Sequence, residues 1–389
     1  MEKIYLDNNA TTPVRKEVLE VMFDLYRGVP GNPSSIHFFG RQARGYVDEA
    51  RRKVASTIGA EPSEIIFTGG GTEADNLAIQ GIAFSRQEKG NHIITQATEH
   101  NAVLHVCRFL EEQGFEVTYL PVSREGLVDP AEVERSIRPE TILITVMTAN
   151  NETGVIQPVE EIGELARVHR VPFHTDAIQA LGKIPFSVQA LKPDLASFSA
   201  HKVYGPKGVG VLYIRSGTRV RPLVYGGHHE GGNRPGTENV AGIVGFGRAC
   251  ELAIDELETE GERLRLLRDR LRSGILEKIP NVKRNGAPDL LLPNTLNMSF
   301  EFVEGEGILL GLETEGIAAS TGSACTSDEP EPSHVLSAMG VPGVLAQGSI
   351  RFSLGRENTR KEIDYTITIL AGVVRRLREI SPFHPEEGS

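Results

Sequence analysis

The side chain with the clearest chemical potential is Lys202, within residues 197–208, which read SFSAHKVYGPKG. A predicted strand, Leu195–Ser199, ends just before it, and His201 precedes it directly. A lysine at the end of a buried strand loses hydration, and burial and neighbouring cations both lower the pKa of its ammonium group. Such a lysine suits Schiff-base formation with a carbonyl carbon. The alternative is a solvated lysine on a surface loop, because most lysines are exposed.

Residues 68–73 read TGGGTE and join a predicted strand to a predicted helix. Glycines let backbone N–H groups turn toward a ligand, and the N-terminus of a helix carries partial positive charge. Together with the Thr72 hydroxyl, this turn predicts a phosphate-binding site. The same residues could also form an ordinary strand-to-helix turn in which Thr72 is the N-cap.

Two further polar side chains follow predicted strands. His100, in the segment TEHN, could stack on an aromatic ring or move a proton, or it could bond to the backbone at a helix start. Asp176, in FHTDA, could pair with a protonated pyridine nitrogen and make that ring a better electron sink, or it could cap the next helix. Gln179 lies one turn further on and could reach a hydroxyl group of the ring.

Arg351 lies inside a predicted strand, in the segment GSIRFS. A partly buried arginine needs a partner, and a substrate carboxylate bound in bidentate fashion is one candidate. An internal ion pair is an equally good explanation of the same residue.

The three cysteines fall in two different settings. Cys107 and Cys250 lie in apolar helical patterns, which is typical of inert core thiols. Cys325 lies in the segment TGSACTSDEPEP, a polar stretch interrupted by glycine and proline that predicts an exposed loop. Its acidic neighbours disfavour the thiolate, so activation would need help from the site that the thiol enters.

The elements that must position these side chains alternate along the chain. The predicted strands are 65–68, 92–96, 116–121, 142–148 and 172–176, and the predicted helices between and around them are 16–26, 39–58, 72–86, 100–113, 130–138 and 159–169. This alternation predicts a mostly parallel sheet covered by helices, in which ligands bind beyond the carboxyl ends of the strands. We therefore expect the polar residues that follow these strands to converge at one edge of the sheet.

The C-terminal third predicts a second, smaller domain. After a loop at 226–239, one long helical pattern runs to about Ile279. The elements predicted beyond it are a strand at 295–300, a helix at 305–314, a loop at 320–332, a strand at 349–353 and a last helix at 360–378, followed by a frayed tail at 381–389.

Composition excludes several classes of protein. The chain has 389 residues, 39% of them hydrophobic, and a net charge of -11, which disfavours nucleic acid as a partner. No apolar run approaches the ~18 residues of a membrane span, and the first residues lack the pattern of a secretory signal. Three widely spaced cysteines argue against a disulfide framework or a cysteine-based zinc site, so we expect no metal and a cytoplasmic location.

Taken together, these motifs resemble those of the cysteine desulfurases, class V members of the aminotransferase-like fold that use pyridoxal 5'-phosphate. The resemblance rests on segments in fixed order, at residues 7–13, 31–35, 69–76, 97–102, 150–154, 174–179, 199–208, 236–240, 320–327 and 351–355. It implies an α/β fold of type I, with a mostly parallel sheet, flanking helices and a smaller α+β domain. The implied division is a large cofactor-binding domain at 13–255 and a small domain from 1–12 and 256–389 that carries the cysteine loop.

The resemblance also implies residue roles. Lys202 would hold the cofactor as a Schiff base and move the α-proton, His100 would stack on the ring and assist with protons, and Cys325 would be the nucleophile that takes the sulfur. The cofactor-binding residues would be Gly71, Thr72, His100, Asn151, Asp176, Gln179, Ser199, His201, Lys202 and, from the partner subunit of a homodimer, Thr237. Asn151 and Arg351 would bind the substrate carboxylate.

The activity implied is removal of sulfur from L-cysteine, which leaves L-alanine and a persulfide on Cys325. The sulfur would pass to an acceptor protein such as an iron–sulfur scaffold. Selenocysteine lyase, or another pyridoxal-phosphate enzyme of this fold, is the alternative. The segment HEGGN at 229–233 departs from the family, in which glutamine is usual at position 229 and arginine at position 231, so we expect altered interface detail there.

Overall fold

The computed structural model describes residues 3–321 and 332–381. Within these ranges the strands are β1 (Ile4–Tyr5), β2 (Ile65–Thr68), β3 (His92–Gln96), β4 (Glu116–Leu120), β5 (Thr141–Thr145), β6 (Phe173–Asp176), β7 (Leu195–Ser199), β8 (Gly210–Ile214), β9 (Val282–Asn285), β10 (Thr295–Phe300), β11 (Ile317–Ala318) and β12 (Ser349–Ser353). The helices are α1 (Lys16–Gly28), α2 (Phe38–Ile58), α3 (Gly71–Arg86), α4 (Asn101–Glu112), α5 (Pro130–Ser136), α6 (Val159–His169), α7 (Val188–Leu191), α8 (Val240–Asp255), α9 (Leu257–Lys278), α10 (Gly305–Thr314), α11 (His334–Ala338), α12 (Gly343–Gln347) and α13 (Arg360–Ile380).

A seven-stranded sheet in the order β2-β8-β7-β6-β5-β3-β4 forms the centre of the molecule. Strands β7, β6, β5, β3 and β4 are parallel, which confirms the predicted mostly parallel α/β sheet. The strand β8 was missed by the sequence analysis and pairs antiparallel with both β2 and β7. Because only ten residues separate β7 from β8, the chain reverses here without a crossover helix. This short connection carries Lys202.

Most predicted boundaries are within two residues of the observed ones, and two differences are larger. The long helical pattern that ends near Ile279 is two helices, α8 and α9, which meet at Glu256. The Glu256 carboxylate accepts hydrogen bonds from Arg15 at 2.7 and 2.9 Å. This ion pair with a distant part of the chain stabilises the break between the two helices. The strand β5 ends at Thr145 rather than at residue 148, and the chain beyond it turns toward the sheet edge.

Apolar side chains cover both faces of the central sheet. Helices α2 and α8 pack on one face, where Val47, Phe198 and Phe246 are fully buried. Helices α3 and α4 pack on the other, around Ile79 and Val103. Burial on both faces is typical of parallel sheets, and it leaves the strand ends as the places where polar groups are tolerated.

A second sheet, in the order β12-β10-β9, has its own apolar core with α9, α10 and α13. Leu271, Phe300 and Phe352 are 0% exposed in this core. The first residues of the chain join it, because β1 pairs with β11 and Asp7 bridges to Ser353. The predicted domain boundaries are compatible with these two cores and remain a prediction.

The segment after β1 crosses from the small sheet to the large one. The side chain of Asn9 hydrogen-bonds to residues of both parts of the molecule. The Asn9 amide donates to the Asn151 carbonyl at 3.1 Å and to the Thr295 hydroxyl at 2.9 Å. Its oxygen accepts from Asn294 at 3.1 Å. Because Asn9 is 1% exposed, these bonds satisfy groups that water cannot reach. The backbone of this segment is thereby held beside the end of β7.

Candidate active site

A cavity of about 420 Å³ opens at the carboxyl ends of the parallel strands. It brings together the predicted site residues Gly71, Thr72, His100, Asn151, Asp176, Gln179, Ser199, His201, Lys202 and Arg351. The structure does not place Thr237 there, because that residue is exposed outside the cavity. Cys325 lies outside the described residues.

Lys202 lies in a short 3-10 turn, Ala200–Lys202, directly after β7. Its Nζ donates to the backbone carbonyls of Asn9 at 2.6 Å and Ala10 at 2.7 Å. Burial, reinforced by the nearby Arg351 guanidinium, lowers the pKa of Lys202 to about 8. The lysine is therefore no solvated surface residue, and an appreciable fraction of its amine carries a lone pair near neutral pH.

Backbone and hydroxyl donors gather at one end of the cavity. The helix α3 begins at Gly71 with Gly70 as its N-cap, so Thr72 is not the cap and its side chain lines the cavity. The imidazole of His201 uses Nδ1 to hydrogen-bond with the Thr11 hydroxyl at 3.1 Å. A helix N-terminus with such donors is a site for a phosphate group.

Asp176 ends β6 and meets the opposite end of the cavity. Its Oδ1 accepts a hydrogen bond from the Ile178 backbone at 2.9 Å, so it caps the following turn while also lining the cavity. Burial raises the pKa of Asp176 to about 6. A cation such as a protonated pyridine nitrogen would offset the desolvation cost of the charged carboxylate, because an opposite charge favours the ionised form.

His100 is the N-cap of α4, and its Nδ1 accepts a hydrogen bond from the Ala102 backbone at 3.1 Å. Burial, followed by the charge of Lys202, lowers the pKa of His100 to about 4. The imidazole is therefore neutral near pH 7, and because Nδ1 accepts, the ring proton must lie on Nε2. Both functions that the sequence left open, backbone capping and a place in the site, apply to this residue.

Arg351, in β12, has the internal ion pair that the sequence allowed. Its Nη2 donates to Asp7 Oδ1 at 2.8 Å, and its Nη1 donates to the Asn151 carbonyl at 3.2 Å. The buried Nε has no hydrogen-bond partner among the described residues. Two of the five guanidinium N–H groups are engaged in these bonds, so the side chain that lines the cavity keeps further donors for an incoming carboxylate.

The sequence analysis missed two buried acids beside Asp176. Asp75, on α3, is 0% exposed and lines the cavity, and neither of its oxygens has a hydrogen-bond partner among the described residues. Burial, followed by the charge of Asp176, raises its pKa well above the usual value, and the nearby Ser197 hydroxyl opposes this shift without completing a hydrogen bond. The signal in the sequence was an aspartate on an otherwise apolar helix face.

Glu99 is the second missed acid and is also 0% exposed. Its Oε1 accepts from the Met147 backbone at 2.6 Å and from the Gln96 amide at 2.9 Å. Burial, followed by the charge of Asp176, raises the pKa of Glu99 to about 8. Burial thus favours the neutral forms of two acids near Asp176, namely Asp75 in the cavity wall and Glu99 behind it.

The described cysteines match the sequence analysis. Cys107 and Cys250 are 0% exposed, and burial raises the pKa of both thiols. On the approach to Cys325, Ser320 forms a bridge with Arg351, and Thr321 lines the cavity.

The Glu99 assignment predicts a pH-dependent stability difference for Glu99→Gln. The folded pKa of about 8 exceeds the ordinary 4.5, so the native state keeps a proton that the unfolded chain releases. The free energy of unfolding of the parent therefore falls as the pH rises from about 4.5 to 8. The amide of the Glu99→Gln variant does not ionise, so Gln at this position causes no such fall. We expect the melting temperature of the variant, relative to the parent, to increase across that window.

Thermal unfolding between pH 5 and 8 measures this difference, with the exposed Glu112→Gln as the matched control. A difference between Glu99→Gln and the parent that stays constant with pH would show that Glu99 is ionised in the folded protein.

Comparison with known proteins agrees with this geometry. The family model described as aminotransferase class-V matches residues 4–366. The chain is 54% identical to the cysteine desulfurase IscS of Dictyoglomus turgidum over 384 residues, which cover 99% of this chain and 98% of that protein. It is 53% identical to the cysteine desulfurase IscS of Methanosarcina thermophila, over 99% of this chain and 95% of that protein.

Solved structures give the same relationship. A protein titled NifS-like superposes with a TM-score of 0.91 at 42% identity, over 96% of this chain and all of that one. SspA in complex with cysteine superposes with a TM-score of 0.81 at 40% identity, over 90% of this chain and 98% of that one. On these matches and on the arrangement of the cavity, the chain belongs to the class-V aminotransferase family, in the group that the cysteine desulfurases form.

Proposed function

We propose that this protein is a cysteine desulfurase that depends on pyridoxal 5'-phosphate. It takes the sulfur of L-cysteine, releases L-alanine and carries the sulfur as a persulfide on Cys325. The observation that carries the proposal is Lys202, whose amine has a pKa of about 8 and shares one cavity with Arg351. A lysine that forms imines beside an arginine that binds carboxylates is suited to an amino-acid substrate.

The residues present fit the cofactor. Its phosphate would be held by the start of α3 and by side chains at the same end of the cavity, namely Gly71, Thr72, Ser199 and His201. The ring would lie between His100 and the end of β6, with its nitrogen at Asp176 and its oxygen at Gln179. Bound there, pyridoxal phosphate supplies an electron sink that makes the α-proton of an amino acid acidic.

The chain's own residues perform the remaining work. Asn151 and the guanidinium of Arg351, which both line the cavity, orient the substrate carboxylate. Lys202 accepts and returns a proton at the substrate α-carbon, because its amine is partly deprotonated near neutral pH. His100 lines the same cavity. Its imidazole is neutral, with the proton on Nε2, so it adds no further positive charge beside Lys202.

Sulfur transfer balances without an external oxidant. The thiolate of Cys325 attacks the sulfur of the substrate, an S–S bond forms, and the C–S bond breaks with its electron pair remaining on carbon. A proton then completes the methyl group of alanine, so cysteine and a thiol become alanine and a persulfide. The persulfide passes to a thiol of an acceptor, for which an iron–sulfur scaffold protein is our proposal because two of the relatives are named IscS.

The nitrogen-fixation and general iron–sulfur roles share this chemistry, and a selenocysteine lyase would use the same residues. None of the helices in the described part of the chain has the length and hydropathy needed to cross a membrane. The reducing cytoplasm is our proposed location, because a thiol that must be regenerated after every transfer needs reducing surroundings.

We further propose a homodimer in which Thr237 completes the phosphate site of the partner subunit. Thr237 is exposed and lies outside the cavity of its own chain. Large apolar side chains are exposed on and near α1 and α2, among them Phe23 at 58%, Tyr26 at 72% and Phe38 at 62%. Clustered apolar exposure of this kind is typical of a surface that another subunit covers.

The activity is tested by adding L-cysteine to purified protein and measuring alanine and protein-bound persulfide together. We expect Cys325→Ala to bind cysteine with a change in cofactor absorbance, yet to form neither persulfide nor appreciable alanine. Lys202→Ala should lose the visible cofactor band and the activity, whereas the exposed Lys207→Ala should keep both. Cys250→Ala is the matched thiol control.

Persulfide mapped to Cys107 or Cys250, together with full activity in Cys325→Ala, would contradict the proposed nucleophile. Alanine formed without any persulfide would favour a different enzyme of this fold, and a strong preference for selenocysteine would favour the lyase.

The dimer predicts that a charge on the exposed apolar surface separates the subunits. We expect Phe38→Asp to shift sedimentation toward the monomer and to weaken cofactor binding and activity together, because each site would lose the partner's Thr237. Val168→Asp, on α6 and 75% exposed in the parent, is the control and should leave the dimer intact. A fully active monomer would rule out the composite site.

A further inference from the structure

A chain of hydrogen bonds extends behind the catalytic lysine to a second lysine. Lys183 Nζ donates to Gln179 Oε1 at 2.5 Å. Gln179 Nε2 donates to the Asn9 carbonyl at 3.0 Å, and the same carbonyl accepts from Lys202 Nζ at 2.6 Å. The Gln179 amide is therefore held between two lysines, with its nitrogen on the side of Lys202.

This arrangement decides which end of the amide faces which neighbour. A glutamine side chain has one donating and one accepting end of nearly equal shape, and only its partners distinguish the two ends. The Asn9 carbonyl can only accept, so it requires Nε2. The Lys183 amine donates to Oε1, the accepting end of the amide. Both partners select the same orientation, and Gln179, at 4% exposed, has no water shell to offer another.

The position of the Lys183 amine costs free energy of folding. Burial, followed by the charges of Lys202 and Arg351, lowers its pKa well below the usual value. It forms no ion pair within the described part of the chain. The other charged or titratable groups around it are Asp176, Asp7 and His201 and, across a small cavity that Lys183 also lines, Arg15, Tyr204, Glu256, Glu260 and Arg356. In the described part of the chain no hydrogen bond joins any of them to Lys183. This shift in pKa favours the neutral amine, and burying even a neutral polar group costs stability, so a purely apolar side chain would pack better.

We propose that Lys183 is a positioning residue that fixes the Gln179 amide so that Nε2 lies beside Lys202 and donates to the ring oxygen of the bound cofactor. The inference rests on the proposed function and deepens it. A donor at that oxygen stabilises its negative charge and so lowers the pH at which the visible band of the bound cofactor titrates. Without Lys183 only the Asn9 carbonyl selects this orientation, so the turned amide, whose carbonyl would meet the ring oxygen, becomes more populated.

The test follows the pH midpoint of the visible band in the holoprotein. Lys183→Met keeps the length and removes the donor, and we expect the midpoint to rise by about one pH unit, the size of one ordinary hydrogen bond. Lys183→Arg keeps a donor and should restore the parent midpoint. If Lys183→Met does not fold, Lys183→Leu replaces it.

A double-mutant cycle separates orientation from charge, because loss of a nearby cation would also raise the midpoint. In the Gln179→Leu background, Lys183→Met should cause no further shift. A shift that persists there at full size would overturn the proposal in favour of a through-space effect, and an unshifted midpoint in Lys183→Met alone would overturn it as well. Absence of a visible band in the parent protein would instead contradict the proposed function, and this inference with it.

Discussion

Burial of the Lys202 amine against backbone carbonyls is the interaction on which the site depends. Two carbonyl oxygens, of Asn9 and Ala10, accept its hydrogen bonds, and within the described residues no carboxylate lies close enough to form an ion pair with it. A carbonyl carries only partial charge, so it orients the amine without securing the proton. Burial, followed by the charge of Arg351, lowers the pKa of the amine to about 8, so proton loss becomes easier than in water. A carboxylate at the same distance would hold the amine as an ammonium ion and suppress its nucleophilicity.

This arrangement explains why the first residues of the chain are packed between the two sheets. The backbone carbonyl of Asn9 meets Lys202, while its side chain binds Asn151, Thr295 and Asn294. The short antiparallel connection from β7 to β8 limits the movement of Lys202 from the other direction. The position of the amine is thus fixed by two distant parts of the chain, which is the preorganisation that a reactive group requires.

Around the cavity the pKa values of the acids are raised and those of the bases are lowered, so both kinds of group are shifted toward their neutral forms. Asp176, with a pKa of about 6, and Glu99, with a pKa of about 8, are raised, whereas Lys202 and His100 are lowered. Each of these shifts has burial as its largest cause, so each would be partly reversed by an opposite charge brought in by a ligand. A ligand with a phosphate, a protonated ring and a carboxylate brings such charges to the places where the residues can use them.

The strand ends were predictable because glycine, proline and polar residues interrupt short apolar runs at regular spacing. This pattern located β2, β3 and β7, and with them the turn at Gly71 and the loop of Lys202. It missed β8, because this strand begins only two residues after Gly208, at the end of the glycine-rich turn, and its first residue is itself a glycine, so no change of pattern marks its start.

Asp75, Lys183 and Asn9 were missed for a different reason. Each acts through a tertiary neighbour, and the sequence shows their polarity but not what lies across from them. The role of Gln179 was inferred from a resemblance, whereas the orientation of its amide depends on contacts that only the fold supplies.

The most direct test of this account is the pKa of Lys202 itself. Competitive labelling of the apoprotein with an amine-specific reagent, between pH 6 and 11 and read peptide by peptide in a mass spectrometer, gives a titration midpoint for each lysine. The account predicts that Lys202 reaches half-reactivity near pH 8, with the exposed Lys207 labelled in the same sample as the reference. A midpoint for Lys202 near the ordinary value of 10.5 would show that burial and Arg351 do not activate the amine, and would contradict the account at its centre.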